Sequence, residues 1–142
     1  MKVIGSILIL LALAVAIVPR FTDCQSQGKA IVLSDGKTIP MKCHWTGVAE
    51  LATAGPLVVL GGIMTVSRHK QTLRALAILG IVLGIFVILL PAQLIGVCAS
   101  AEMLCNMVMR PSLMFAGVLV VATSVVVLLA ARGPETQTLI SG

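Results

Sequence analysis

The chain has 142 residues, of which 58% are hydrophobic and 11% are charged, and its mean hydropathy is +1.12. Soluble domains have roughly 45–50% apolar residues, so this composition excludes an ordinary soluble domain and predicts one integral membrane domain in contact with the lipid bilayer. The net charge of +5 comes from ten Lys and Arg residues that stand singly at the ends of apolar blocks. Because they form no basic cluster, we expect no nucleic-acid partner.

The first apolar run covers residues 3–18, between Lys2 and Pro19. We expect a membrane span that is retained in the protein. The alternative is a cleaved secretory signal, because Ala14-Val15-Ala16 matches the small-x-small pattern of a cleavage site. The run continues past that site, which favours the retained span.

A β-hairpin is predicted within the polar segment that follows, residues 19–46. Residues 30–33 and 38–41 flank Asp35-Gly36, a pair typical of the tight type I′ turn. Pro40 has no N–H to donate to a neighbouring strand, so its strand must lie at an edge.

Three further apolar runs, at 47–67, 75–94 and 111–131, predict three more spans. The fold class is therefore an all-α membrane protein, a four-transmembrane-helix bundle with a small extracytoplasmic β-hairpin and cysteine-containing loops. Outside the four spans lie the loops 19–46 and 95–110, the short connection 68–74 and a polar tail, 132–142. The glycines expected to allow close helix contacts, within the bundle or with a partner, are Gly55, Gly61, Gly62, Gly80 and Gly84.

The short connection 68–74 decides the expected orientation. Three of its seven residues are basic and none is acidic, whereas the loops 19–46 and 95–110 dilute their basic residues over longer stretches that contain acids. By the positive-inside rule, we expect a multi-pass protein of the cell membrane with both termini in the cytoplasm. Both cysteine-containing loops are then extracytoplasmic.

Four cysteines lie in those two loops: Cys24, Cys43, Cys98 and Cys105. Thiols outside the cytoplasm oxidise, so the main expectation is two disulfides that staple small loops. Local pairing would join Cys24 to Cys43 and Cys98 to Cys105, and a crossed pairing would clamp the first two helices to the last two. The sequence leaves both open.

An alternative is a soft-metal site for copper, built from Met41, Cys43, His44, Met103 and Cys105. Thiolate, thioether and imidazole ligands suit Cu(I), although methionines in an apolar loop also serve as flexible hydrophobic residues. A second alternative is a membrane thiol oxidoreductase that uses a cysteine pair. No C-x-x-C motif supports it.

Glu50 is the one acid in or beside a predicted span. We expect it in the first turns of the second helix, with Thr46 as the N-cap and Trp45 as an interfacial anchor. Its carboxylate then either marks a functional site or lies at headgroup level beside basic neighbours. No phosphate-binding loop, nucleophile elbow or H-E-x-x-H motif is present, so we expect no enzyme.

Two stretches together resemble a known family. They are Met41-Lys42-Cys43-His44-Trp45-Thr46-Gly47-Val48-Ala49-Glu50, and Leu94-Ile95-Gly96-Val97-Cys98 followed by Met103, Cys105 and Pro111. The chain resembles the domain of unknown function 4418 family of small prokaryotic membrane proteins. The resemblance implies four spans with paired extracytoplasmic cysteine segments.

Some members of that family are encoded beside MacB-like ABC transporters. The resemblance therefore implies an accessory subunit of a transport or envelope complex, with a membrane-protein partner or a second copy of the chain. The polar segment between Cys24 and Cys43 is longer here than the family pattern, so a role specific to the hairpin does not transfer from it.

Overall fold

The structure is a computed structural model that describes residues 2–22, 28, 31–96 and 104–131. Four long helices pack as a bundle, and a two-stranded antiparallel hairpin connects the first two along the chain, which confirms the predicted four-helix bundle with a small β-hairpin. Each long helix is long and apolar enough to cross a bilayer. The elements are α1 (Lys2–Thr22), β1 (Ile31–Val32), β2 (Thr38–Ile39), α2 (Lys42–Val66), α3 (Lys70–Leu89) and α4 (Arg110–Ala131).

A π-helical turn extends each of the last two helices. Leu90–Leu94 continues α3, and Cys105–Met109 leads into α4. Pro91 lies at the start of the first of these turns and has no N–H to donate to the preceding helical turn. A π-helical turn widens the local hydrogen bonding and is rare outside functional or strained positions.

The helices extend beyond the apolar runs that predicted them. α1 continues through Pro19 to Thr22, and α2 begins at Lys42 rather than at residue 47. An apolar run marks only the part of a helix that lipid would surround, whereas backbone hydrogen bonding continues into polar residues on either side.

The bundle consists of two closely packed pairs, α1 with α2 and α3 with α4. In the first pair, a Cβ added at Gly61 would lie 3.0 Å from the Gly5 carbonyl oxygen. In the second pair, a Cβ added at Gly117 would lie 3.0 Å from the Gly84 carbonyl oxygen. Small residues therefore let the backbones of both pairs approach directly, as in other membrane helix pairs.

The outer surface of the bundle is apolar. Val3, Val59 and Phe115 are among many large hydrophobic side chains that are more than half exposed, and the buried core is a separate inward-facing set. A soluble protein does not present so much apolar surface to water. The surface therefore fits contact with a lipid bilayer.

The two ends of the bundle differ. The hairpin end is formed by the β-hairpin, the start of α2 and the two π-helical turns. The basic end, at the other side, is formed by the start of α1, the connection 67–69 and the end of α4. Thr46 at the hairpin end donates a hydrogen bond to the Gly96 carbonyl, so both cysteine-containing connections emerge at this end.

The hairpin pairs Ile31 with Ile39 and Val32 with Thr38, but its turn differs from the predicted type I′ turn. Gly36 has a φ angle of 75°, and among the described residues only glycines have a positive φ. The Gly36 N–H donates to the Leu33 carbonyl, and the Leu33 N–H donates to the Lys37 carbonyl, both at 2.9 Å. This is a three-residue loop closed by glycine, because Asp35 does not adopt the positive φ that type I′ requires.

Candidate functional site

The candidate site is the buried polar face of α2 at the hairpin end. Cys43, Thr46 and Glu50 are each 0% exposed, although they lie in a helix whose other buried residues are mainly apolar. Their spacing of three and four residues places them on one side of the helix. This side faces the bundle core, so the polar groups lie between helices rather than towards lipid.

Thr46 connects this face to the second helical pair. Its hydroxyl donates to the Gly96 carbonyl at 2.7 Å, which joins α2 to the segment that follows α3. The predicted N-cap role of Thr46 is wrong, because α2 already begins at Lys42 and Met41 occupies the N-cap position. The hydroxyl is thus used for a tertiary contact.

Glu50 lies about two helical turns into α2 and is buried within the bundle. It follows Lys42 by eight residues, which is about 12 Å along a helix that rises about 1.5 Å per residue. The Thr53 hydroxyl donates to its backbone carbonyl at 2.9 Å and lies 3.4 Å from its Oε2 atom. Its Oε1 atom is buried and has no hydrogen-bond partner among the described residues.

An unpartnered buried carboxylate oxygen is costly, since its lone pairs lose the donors that water would supply. Ionisable residues within membrane helices are rare for the same reason and are functional candidates by default. Glu50 therefore remains a functional candidate. Its depth relative to the lipid headgroups stays a prediction.

The second π-helical turn adds two buried sulphur-bearing side chains at the same end. Cys105 and Met109 are both 0% exposed and belong to the same core cluster as Cys43. A buried thiol is shielded from reagents in water. The burial of Cys43 and Cys105 fits a structural role better than rapid thiol exchange.

Each pair of the local pairing includes one cysteine outside the described residues, since Cys24 and Cys98 both lie there. A crossed pairing can join Cys43 to Cys105, which are both described and buried, and no disulfide is formed between these two. The pairings therefore stay predictions. Met103, from the predicted copper site, also lies outside that part of the chain.

Two neighbouring predicted copper ligands, Cys43 and His44, point in different directions. Cys43 and His44 are consecutive residues of α2, and successive side chains of an α-helix diverge by about 100°. Cys43 is fully buried, whereas His44 and Met41 are only partly buried. Within the described ranges, no group of three His, Cys, Asp or Glu side chains is arranged to hold a metal ion.

His44 instead lines a small cavity of about 90 Å³ between the end of α1 and the start of α2. Its ring also meets the Trp45 ring edge to face, with centroids 6.0 Å apart. Trp45 is 56% exposed, as an interfacial anchor would be. The remaining residues that line the cavity are Pro19, Arg20, Gly47, Val48 and Leu51.

The five predicted packing glycines fall into two groups. Gly61, Gly80 and Gly84 lie at contacts between helices, where an added Cβ would meet a neighbouring helix. Gly55 and Gly62 would meet no other atom within 4 Å. These two are seven residues apart, or about two turns, so they lie on one side of α2.

Gly5, Gly117 and Ser124 were not predicted as contact residues, although all three lie at the main helix contacts. Gly5 packs on Gly61, Gly117 packs on Gly84, and Ser124 packs on Gly80. Ser124 is 0% exposed, and its hydroxyl has no partner in the described part of the chain. The spacing of small residues four apart predicted Gly80 and Gly84, but the residues that they pack against depend on how the helices are paired.

Comparison with curated proteins and with solved structures found no match. The comparison with family profiles matched one family over residues 2–130, nearly the whole chain and both sequence stretches that resemble it. The match includes all four helices, apart from the last residue of α4. The chain belongs to the family described as domain of unknown function DUF4418.

Proposed function

We propose that the protein is a non-catalytic membrane subunit that binds a transmembrane helix of a transport or envelope complex along the outer side of α2. The observation that supports this is the position of Gly55 and Gly62, where an added Cβ would meet no atom of another helix within 4 Å. A MacB-like ABC transporter is the first partner to test. A second copy of the chain is the alternative partner.

Glycine is an unfavourable residue within a helix. Each glycine destabilises a helix by about 1 kcal/mol relative to alanine, and packing against another helix can offset this cost. Gly61, Gly80 and Gly84 have such contacts within the bundle. Gly55 and Gly62 do not, so a partner helix would supply the missing contact.

The same proposal assigns a structural role to the hairpin end. We place that end outside the cytoplasm, where disulfides would staple the two cysteine-containing connections. The burial of Cys43 and Cys105 shields both thiols from water, which disfavours rapid redox exchange. Thiol counting on the non-reduced protein separates the three hypotheses: no free thiols for staples, free thiols with bound copper for a metal site, and rapid exchange with a dithiol for an oxidoreductase.

The partner is tested by co-purification from native membranes in mild detergent. The wild-type protein is compared with a Gly55→Ile, Gly62→Ile double variant. The matched control is Ala75→Ile with Ala122→Ile, which adds similar bulk at exposed positions of α3 and α4. We expect the wild type and the control to recover the same membrane protein, and the glycine variant to recover about tenfold less.

Equal recovery with the glycine variant would contradict a role for the outer side of α2. The wild type could instead recover only a second copy of the chain, and the glycine variant could lose it. This result would support the contact surface on α2 but would mean that the protein is a homo-oligomer rather than an accessory subunit. Mass spectrometry of the eluate distinguishes these results.

A further inference from the structure

A second cavity lies at the basic end, at the opposite side of the bundle from Glu50. Its volume is about 360 Å³, and all four helices or their immediate ends contribute to it. The residues that line it are Lys2, Thr65, Ser67, Arg68, Lys70, Leu73, Ala130 and Ala131. Nothing in the proposed function uses this cavity.

The cavity is strongly basic. Lys2 comes from the start of α1, whereas Arg68 and Lys70 come from the connection before α3 and its first residue. The acids among the described residues are Asp35, in the hairpin, and Glu50, in the hairpin half of α2, and neither lines the cavity. Three basic side chains that line one cavity favour an anionic ligand there.

One wall of the cavity is apolar. Leu73, Ala130 and Ala131 supply this wall. Thr65 and Ser67 add two hydroxyl groups to the lining. A ligand that fits such a lining has an anionic group joined to an apolar part. Inorganic phosphate has no apolar part.

The depth of the cavity also points to lipid. Val3 is 72% exposed and directly follows Lys2, and Val66 is 81% exposed and directly precedes Ser67. On two helices, therefore, the surface changes from apolar to polar at the level of the cavity. Lipid phosphates lie at this boundary in a bilayer, and basic pockets between helix ends are known to hold anionic headgroups.

We propose that this cavity binds the headgroup phosphate of an anionic phospholipid. Lys2, Arg68 and Lys70 attract the phosphate, and the apolar wall contacts the glycerol and the upper acyl chain. The site is independent of the partner contact at Gly55 and Gly62. Either proposal can therefore fail without the other.

The test is native mass spectrometry of the detergent-solubilised full chain titrated with phosphatidylglycerol or phosphatidylethanolamine. We expect the wild type to bind phosphatidylglycerol more tightly than phosphatidylethanolamine. The triple variant Lys2→Gln, Arg68→Gln, Lys70→Gln should bind phosphatidylglycerol about 100-fold more weakly, because each basic side chain near a membrane surface contributes about fivefold.

The matched control removes three exposed basic side chains at the hairpin end: Lys37→Gln, Lys42→Gln and Arg110→Gln. It should keep the wild-type affinity, since net charge changes equally in both variants. If the triple variant fails to fold by circular dichroism, Arg68→Gln alone should show a loss of about fivefold.

Three results would overturn the proposal. The first is equal lipid affinity of the basic-end variant and the wild type. The second is an equal loss in the control, which would mean that only net charge matters. The third is displacement of the lipid by millimolar inorganic phosphate, which would identify a free-anion site.

Discussion

The two helical pairs close by the same contact but bury different side chains. In the first pair Gly61 packs on Gly5 and Ile9, and in the second Gly117 packs on Gly84 and Ile88. Each contact places a glycine against the backbone of its partner helix. The first pair, however, also buries Glu50, whereas Ser124 is the one buried hydroxyl that the described part of the second pair contains.

The residues that stabilise each pair are therefore different from the buried group that is a candidate for function. The glycine contacts hold each pair together, since they allow close van der Waals packing where lipid supplies no hydrophobic driving force. The buried acid is not part of those glycine contacts, and one of its oxygens has no hydrogen-bond partner among the described residues. Substitutions in the two pairs can therefore test which contacts stabilise the bundle and which groups are kept for another reason.

The largest effect is expected when the glycine contacts are filled. A Cβ at Gly61 would lie 2.8 Å from Ile9 Cγ1, and one at Gly117 would lie 2.6 Å from Ile88 Cγ1. Gly61→Ile and Gly117→Ile should each lower the free energy of unfolding by about 3 kcal/mol, because overpacking must displace a backbone as well as a side chain. Unfolding in detergent, followed by circular dichroism, measures this.

The control for that comparison is Gly62→Ile, next to Gly61 but with open space around it. Its stability should fall much less than that of Gly61→Ile. If one pair tolerated its isoleucine while the other did not, the two glycine contacts would not be equivalent.

The next largest effect concerns the buried acid. Glu50→Met should raise the free energy of unfolding by about 1–2 kcal/mol, because replacing a buried group that lacks partners by an apolar one of similar size is often stabilising. Glu50→Gln should raise the free energy of unfolding by less than Glu50→Met does, since a buried amide also needs hydrogen-bond partners. A loss of stability in Glu50→Met would mean that the carboxylate is bonded within the folded protein, for example by residues outside the described part of the chain.

A smaller effect is expected at the contact between the pairs. Thr46→Val removes the hydrogen bond to the Gly96 carbonyl while keeping the shape of the side chain. The free energy of unfolding should fall by about 1 kcal/mol, the scale of a hydrogen bond between membrane helices. Thr123→Val is the control, since the Thr123 hydroxyl donates only within its own helix, to the Leu119 and Val120 carbonyls.

The helices could be predicted because an apolar run of this length is long enough to cross a bilayer, where a helix satisfies its own backbone hydrogen bonds. The predicted start of α2 was too late, since Lys42 to Thr46 read as polar and the apolar pattern begins only at Gly47. Because the helix was predicted to begin too late, Thr46 was wrongly predicted to be its N-cap. The type I′ turn was wrong for a comparable reason: Asp-Gly permits two turn types, and only the strand register separates them.

The site was partly predictable. Glu50 was identified because acids in membrane spans are rare, but its position about two turns into α2 followed from the true start of that helix. The contact from Thr46 to Gly96 joins residues fifty positions apart, so no local pattern could indicate it. The division of the glycines into packed and unpacked sets likewise depends on which helices are neighbours.

The smallest effect is expected at Ser124, the counterpart of Glu50 in the second pair. Its hydroxyl packs on Gly80, and among the described residues it has no hydrogen-bond partner. Ser124→Ala should change the free energy of unfolding by less than about 0.5 kcal/mol, because the loss of a small packing contact opposes the removal of an unpartnered hydroxyl. Ser124→Val should be destabilising, since its larger side chain would press on α3 at Gly80. If Ser124→Ala proved as destabilising as Thr46→Val, the hydroxyl would have a partner in the membrane, and the second pair would also contain a functional polar group.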